Sequence, residues 1–229
     1  EMIDSVFRNR DAMLSLSKLR KFDEYTFSHS LNVTALVMSV GRHIKLNQSQ
    51  LMELGLAAMF HDVGKTRIPE AILNKPSRLT PEEFEIMKTH SVLGEAVLLE
   101  QVERVSNGVL RVVRHHHERL DGTGYPDGLA SENLRPGMIL CGMADVYDAL
   151  SSDRVYHKGM MPHEALKVVF SLRDKHFPGL WVDRFVQALG IYPVGTVVKL
   201  SNGLTGIVVS VNHACLTKPK VRGVLDPLG

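Results

Sequence analysis

The adjacent pair His61 and Asp62, in the segment FHDVGK at residues 60–65, carries the clearest chemical signal in the sequence. An imidazole and a carboxylate can both bind one transition-metal ion, and a carboxylate can bridge two ions through its two oxygens. Further candidates of the same types follow the chain at His29, His90, the three histidines of residues 115–117, and Asp145. Most of these lie within apolar helical patterns, where an unpartnered polar group is costly, so together they predict a metal site.

Two divalent ions sharing the carboxylate of Asp62 would hold a hydroxide between them. Such a site both generates a nucleophile and stabilises an in-line phosphoryl displacement. Asp145 offers a carboxylate to one ion, and His90, His116 and His117 could complete the other. Adjacent residues of a helix point about 100° apart, so His116 and His117 can bind the same ion only if the helix is distorted there. We expect the neighbouring His115 to lie outside the site.

Candidate phosphate-binding groups surround these residues. Lys65 follows the His-Asp pair by one turn and can reach a phosphate oxygen, although a lysine near a helix C-terminus is also typical of an exposed surface. In the segment 148–158, Arg154 can bind a phosphate in a bidentate manner, or it can pair with a nearby aspartate. We therefore count Lys65, Asp148, Arg154 and His157 as candidate substrate contacts.

Composition excludes several other classes of protein. The chain has 229 residues, of which 44% are hydrophobic and 23% charged, as is typical of a globular protein. A net charge of +2 gives no reason to expect binding to nucleic acid or to a membrane surface, and no apolar run approaches the roughly 20 residues of a membrane span. The two cysteines, Cys141 and Cys215, form no CxxC motif, which indicates a reducing, cytoplasmic environment. Because the chain opens with Glu1-Met2, we expect a fragment that an N-terminal regulatory domain precedes.

Helical periodicity covers most of the first 190 residues. An apolar stripe of Leu31, Ala35 and Met38 predicts one helix, with His29 just before the stripe. A capping box at residues 47–50 opens a helix that runs to His61, and we expect Gly64 to end that helix.

Five more helices are predicted further along the chain. A second capping box at residues 80–83 opens a helix that carries Phe84, Met87 and His90 on one face. Others run from Val109 to His116, from Met138 past Asp145 and Asp148, and over residues 164–177 and 180–189.

The pattern changes to a period of two after Pro193. It predicts a β-hairpin with its turn at residues 201–203 and a third strand near residues 221–225. The sequence therefore predicts an all-α helical bundle over residues 1–192 and a small C-terminal β-hairpin extension, residues 193–229, packed on it.

With these residues in view, the chain resembles the HD-GYP family, a branch of the HD-domain metal-dependent phosphohydrolases, over about residues 25–185. The motifs that carry the resemblance are YTFSHS at 25–30, HDVGK at 61–65, His90, HHERLDGTGYP at 116–126, DVYDAL at 145–150 and DRVY at 153–156. The resemblance implies an HD-domain helical bundle and hydrolysis of cyclic di-GMP, a bacterial second messenger, to pGpG, with GMP as a further product.

The resemblance also implies the role of each site residue. One metal would be held by His29, His61, Asp62 and Asp145, and Asp62 would bridge to a second metal held by His90, His116 and His117. Asp62 and Lys65 would be the catalytic residues, and Lys65 and Arg154 would contact the phosphates of the substrate. The metals would be divalent transition ions, with iron or manganese favoured over nickel or zinc.

Two positions depart from the family pattern. Some members use a glutamate to hold a third metal. This chain has Tyr25 at that position, and Glu24 is one residue away from it, so we predict two metals. Met161 stands where the family has a serine or threonine as a helix cap.

The loop of Gly124, Tyr125 and Pro126 matches the signature surface of the family. The resemblance implies contacts between this loop and diguanylate cyclase domains, and a rigid turn beside the active site is the alternative.

Two other functions remain open at this point. The first is an HD phosphohydrolase that acts on another nucleotide or cyclic dinucleotide. The second is a cyclic di-GMP receptor or interaction module with little turnover.

Overall fold

Helices occupy most of the described residues up to residue 189, and three short strands follow. The structure is a computed structural model that describes residues 24–102, 105–153 and 158–225. Its helices are α1 (Glu24–His43), α2 (Gln48–Phe60), α3 (Glu70–Leu73), α4 (Pro81–Lys88), α5 (His90–Gln101), α6 (Asn107–His115), α7 (Pro136–Ser151), α8 (Pro162–Ser171) and α9 (Gly179–Leu189), with short 3-10 helices at Val63–Arg67 and Ser131–Asn133. The strands are β1 (Val197–Lys199), β2 (Thr205–Ser210) and β3 (Lys220–Leu225). The predicted helical body with a small β extension is confirmed.

Helix α1 packs on α2 and α7 through a face that differs from the predicted one. Val33, Val37 and Val40 are fully buried, and His29 lies on the same face one turn earlier. The predicted stripe is wrong, because Leu31 is 43% exposed. The helix has apolar residues on two faces, and spacing alone does not indicate which of them meets the core.

The predicted helix starts are confirmed more fully than the predicted ends. Both capping boxes form, at Asn47 for α2 and at Thr80 for α4, and Met161 precedes α8 without a side-chain cap. However, α4 ends at Lys88 and α5 begins at His90, so the predicted single face of Phe84, Met87 and His90 is wrong. Helix α8 likewise ends at Ser171, short of the predicted residue 177.

Gly64 does not terminate α2 as predicted, because that helix ends at Phe60 and Gly64 lies inside the first 3-10 helix. Instead, Gly64 allows this 3-10 helix to pack closely against α5. A Cβ atom on Gly64 would lie 1.9 Å from the carbonyl oxygen of His90 and 2.4 Å from the amide nitrogen of Gly94. The missing side chain therefore lets the segment that follows His61 and Asp62 lie directly against the start of α5.

The strands form an antiparallel sheet in the order β1-β2-β3, and the predicted third strand is confirmed. Gly203, with φ of 87°, closes the predicted turn by donating its amide to the carbonyl of Leu200. The sheet region contacts the helical body where the ring of His213 lies 4.8 Å from that of His43, at the end of α1. No helix in the described ranges has both the length and the hydropathy that a membrane span requires.

Candidate metal centre

The seven predicted metal ligands converge in the interior of the helical body. They come from separate elements: His29 from α1, His61 and Asp62 from the end of α2, His90 from the start of α5, His116 and His117 from the end of α6, and Asp145 from α7. All are buried except His117 and Asp145, which are half-buried at its edge.

The carboxylate of Asp62 lies between two groups of histidines. Its Oδ2 atom is 3.4 Å from Nε2 of His61 and 3.8 Å from Nε2 of His29. Its Oδ1 atom is 3.3 Å from Nε2 of His90. One oxygen therefore faces each group, as a carboxylate that bridges two ions requires.

Two clusters with metal-binding geometry result within the described ranges. In each, the ligand atoms lie within 4.8 Å of one another. The clusters are His29, His61 and Asp62, and Asp62, His90, His116 and His117. Asp145 lies beside both, with Oδ1 3.0 Å from Nε2 of His29 and Oδ2 3.6 Å from Nδ1 of His117.

Backbone carbonyls orient three of the histidines in the same way. In each ring Nδ1 lies within hydrogen-bond distance of the carbonyl oxygen three residues earlier, so Nδ1–H is the donor. The pairs are His61 with Ala58 at 2.7 Å, His90 with Met87 at 2.7 Å and His116 with Val113 at 2.9 Å. This tautomer leaves the lone pair of each Nε2 atom directed into the centre, as a metal ligand requires.

The arrangement fits metal ions better than internal hydrogen bonding. Nε2 of His61 and Oδ1 of Asp62 are buried without a hydrogen-bond partner in the described ranges. Nε2 of His90 lies 3.4 Å from Nε2 of His116, and both atoms carry lone pairs in this tautomer. Lone pairs that face each other repel, and a divalent cation between them removes that repulsion and binds the unpartnered atoms.

Burial places most of these groups in the protonation state that binds metal. It lowers the pKa of His90 and of His116, and it lowers that of His117 to about 3. Burial acts in the opposite sense on Asp62, but the charge of Lys65 outweighs it and holds the pKa of this carboxyl well below its usual range. Neutral imidazoles and an ionised bridging carboxylate are the forms that coordinate cations.

Asp148 contacts the ring nitrogen of His29 that faces away from the centre. Its Oδ2 atom lies 2.6 Å from Nδ1 of His29, and its Oδ1 atom accepts a hydrogen bond from Oγ of Ser152 at 3.0 Å. Burial lowers the pKa of His29, but hydrogen bonds with Asp145 and Asp148 outweigh this and raise it to about 9. Sequence reasoning placed Asp148 among the substrate contacts and missed its contact with His29. The signal available was its spacing of three residues from Asp145.

Lys65 belongs to the centre and not to the exposed surface. Its Nζ atom lies 2.6 Å from Oδ2 of Asp62, and its side chain is 22% exposed. Arg154 and His157, the other predicted basic contacts, lie outside the described residues.

The end of α6 has the distortion that two adjacent ligands need. The helix stops at His115, so His116 and His117 lie in a turn where their directions are not fixed by helical geometry. His115 faces elsewhere, as expected, because its Nε2 atom lies 2.8 Å from Oδ2 of Asp127.

The loop of Gly124, Tyr125 and Pro126 packs against the centre. The ring of Tyr125 lies 4.6 Å from that of His117, and all three loop residues are half-buried. A Cβ atom on Gly124 would lie 2.4 Å from Cα of Glu118, so only glycine lets the loop fold back this closely. This position agrees with the alternative of a turn beside the site.

Glu118 holds that loop in place, a role that the sequence did not predict. The carboxylate is 5% exposed, and it accepts hydrogen bonds from the amides of Asp127 at 2.8 Å and Leu129 at 2.9 Å. A buried carboxylate next to His117 therefore ties the chain beyond Pro126 to the end of α6.

At the other side of the centre, Tyr25 occupies the position where some family members place a glutamate. Its ring stacks on that of His29, with centroids 5.9 Å apart.

Comparison with known proteins identifies similar chains. A family described as HD domain matches residues 8–179. The chain is 42% identical over 222 residues to Cyclic di-GMP phosphodiesterase PA4108 of Pseudomonas aeruginosa, covering 97% of this chain and 53% of that protein. It is 33% identical over 187 residues to Cyclic di-GMP phosphodiesterase of Thermotoga maritima, covering 82% of this chain and 50% of that protein. Among solved structures, the HD domain of L. monocytogenes phosphodiesterase PgpH in complex with cyclic-di-AMP has a similar fold, with a TM-score of 0.59 and 18% identity over 76% of this chain and 92% of that chain.

Proposed function

This chain belongs to the HD-domain family, in the HD-GYP branch that its motifs indicated, and we propose that it is a metal-dependent phosphodiesterase that hydrolyses cyclic di-GMP to pGpG. The observation that carries the proposal is the position of the Asp62 carboxylate between two groups of histidines. The chain spans about half the length of the curated relatives that it matches, so the activity of the whole protein belongs to the proposal.

The seven ligands would hold two divalent ions, for which iron or manganese is the first expectation and nickel or zinc the second. Mixed imidazole and carboxylate donors suit these borderline ions. When bound, two such ions supply a nucleophile from water at neutral pH and stabilise the charge that develops on the phosphate.

The protein's own side chains position the ions and the substrate. Asp62 would contact both ions, and Asp148 holds His29 in the orientation that points Nε2 inward. Lys65 lies beside Asp62, where its ammonium group can turn toward a non-bridging phosphate oxygen. Arg154 and His157 are the remaining proposed phosphate contacts, and hydrolysis of pGpG to GMP is a proposed second step.

Three wider features of the function are also proposals. The half-buried loop of Gly124, Tyr125 and Pro126 presents one edge for contacts with diguanylate cyclase domains. An N-terminal regulatory domain is a second proposed partner. The free cysteines, Cys141 and Cys215, agree with a cytoplasmic location.

A turnover assay with metal-loaded protein tests the function. Cyclic di-GMP, cyclic di-AMP, cyclic GMP-AMP and pGpG are offered separately, because the metal ligands do not encode recognition of the base. We expect cyclic di-GMP to give the highest kcat/KM. Faster hydrolysis of another substrate would support the HD phosphohydrolase of different specificity, and tight binding of cyclic di-GMP without turnover would support the receptor.

Two variants test the phosphate contacts. Lys65→Ala and Arg154→Ala should keep both metals and lower kcat/KM by about ten- to a hundredfold, the effect of losing a charge-assisted hydrogen bond. Lys199→Ala, in strand β1, is the matched control. Loss of metal from either variant would mean that the residue supports the metals instead.

A further inference from the structure

A cavity of about 500 Å³ lies at the opposite end of the helices that carry the metal ligands. Its walls are the first turns of α2, α6 and α7, and Trp181 from the first turn of α9 closes one side. The volume lies within the range of small-molecule sites, about 300–1,000 Å³. None of the seven predicted metal ligands lines this cavity.

Two arginines give the cavity a positive rim. Arg111 and Arg135 both line it, and within the described ranges no carboxylate lies at ion-pair distance from either guanidinium. Glu53 also lines the cavity, and its carboxylate accepts a hydrogen bond from Oγ of Ser106, just before α6. A guanidinium without a carboxylate partner suits a phosphate, which it can bind in a bidentate manner.

The floor and one wall of the cavity suit a planar ring. Leu54, Val112 and Met138 are buried apolar side chains that line it, and the half-buried indole of Trp181 adds an aromatic surface. Arg184 lies over the indole, with its guanidinium carbon 4.8 Å from the ring centroid. Because Arg184 covers one face of the indole, the opposite face is the one that can stack on a nucleobase.

We propose that this cavity is a second ligand site, which binds a nucleoside monophosphate with its phosphate at Arg111 and Arg135 and its base beside Trp181. The same three helices lead from the cavity to the metal centre: α2 to His61, α6 to His116 and α7 to Asp145. Helix α6, with nine residues, is about 13 Å long, so the two sites are close enough to be coupled through rigid helices. The bound nucleotide therefore acts as an effector of the proposed hydrolysis. This effector role, unlike the binding itself, rests on the proposed function.

Trp181 is the only tryptophan of the chain, so its fluorescence reports on this cavity alone. The probe is AMP, because guanine compounds would also be drawn to the catalytic site. Metal-loaded full chain is titrated with AMP, with adenosine and with inorganic phosphate. We expect a saturable change with AMP, at a Kd about tenfold or more below those of adenosine and phosphate. The proposal would be overturned if AMP caused no saturable change in fluorescence, or if adenosine or phosphate bound as tightly as AMP.

The double variant Arg111→Ala/Arg135→Ala should weaken AMP binding by about tenfold or more, while Arg222→Ala, on exposed strand β3, should leave it unchanged. Equal binding by the double variant would place AMP elsewhere and overturn the site. AMP should also change turnover of cyclic di-GMP by about fivefold or more in the wild type and not in the double variant. If AMP binds but does not change turnover, only the effector role is overturned. If the enzyme is active but AMP does not change the fluorescence of Trp181, only this site is refuted. If the protein binds AMP but has no hydrolytic activity, only the proposed function is refuted.

Discussion

The ring of Tyr125 lies 4.6 Å from the ring of His117, at an interplanar angle of 31°. Burial beside the centre also raises the pKa of the Tyr125 phenol. Tyr125 thus packs on a proposed metal ligand, and its ring limits the orientations of that ligand.

Tyr125→Ala should therefore lower turnover by about ten- to a hundredfold, because a misplaced ligand shifts the reacting groups. Tyr125→Phe keeps the ring and should stay close to the wild type. Turnover is measured together with binding to diguanylate cyclase domains. If Tyr125→Ala lost only partner binding, the loop would serve recognition and not the centre.

Glu118→Gln should release the loop from the end of α6. The carboxylate accepts two amide hydrogen bonds while buried, and a glutamine offers only one acceptor oxygen in the same place. We expect the free energy of unfolding to fall by about 1–3 kcal/mol, measured by urea denaturation. The matched control is Glu100→Gln, which removes an exposed carboxylate paired with Arg67 and should have little effect. Equal losses in both variants would contradict the structural role of Glu118.

Asp148→Asn should weaken binding of the metal ion at His29 by about ten- to a hundredfold, as the loss of such a partner does elsewhere. The ion at His90, His116 and His117 should be retained. Chelator competition measures both affinities, and Ser152→Ala, which removes only the hydroxyl that bonds Asp148, should have a smaller effect. Unchanged metal binding with a raised KM would return Asp148 to the role of a substrate contact.

The ion pair of Arg114 and Asp127 should make part of the stability depend on pH. Hydrogen bonds from Arg114 lower the pKa of Asp127 from 3.8 to about 2. Because the folded-state pKa lies below the unfolded value, this contribution is complete above about pH 4 and is lost as the pH falls toward 2. Urea midpoints of the wild type and Asp127→Asn should therefore converge across that window. A constant difference between the two midpoints would contradict the assignment.

Local sequence signals were enough to select the residues that converge at the proposed metal centre and to locate the helix starts. A histidine or aspartate in an apolar helix is conspicuous in any context, and capping boxes act over four residues. The roles of Asp148, Glu118 and Tyr125 could not be read in this way, because each depends on a partner that only the fold brings near. The same reason explains the wrong face of α1 and the misread Gly64, whose missing side chain serves a contact with α5.

The bridging role of Asp62 is tested most directly by the metal content of the protein. Wild-type protein purified under metal-replete, low-oxygen conditions should contain about two metal ions per chain, and Asp62→Ala, which removes the only shared ligand, should lose most of both while remaining helical by circular dichroism. A well-loaded wild type with one ion or none, or a folded Asp62→Ala variant that keeps two ions and full activity, would contradict the bridged two-metal centre.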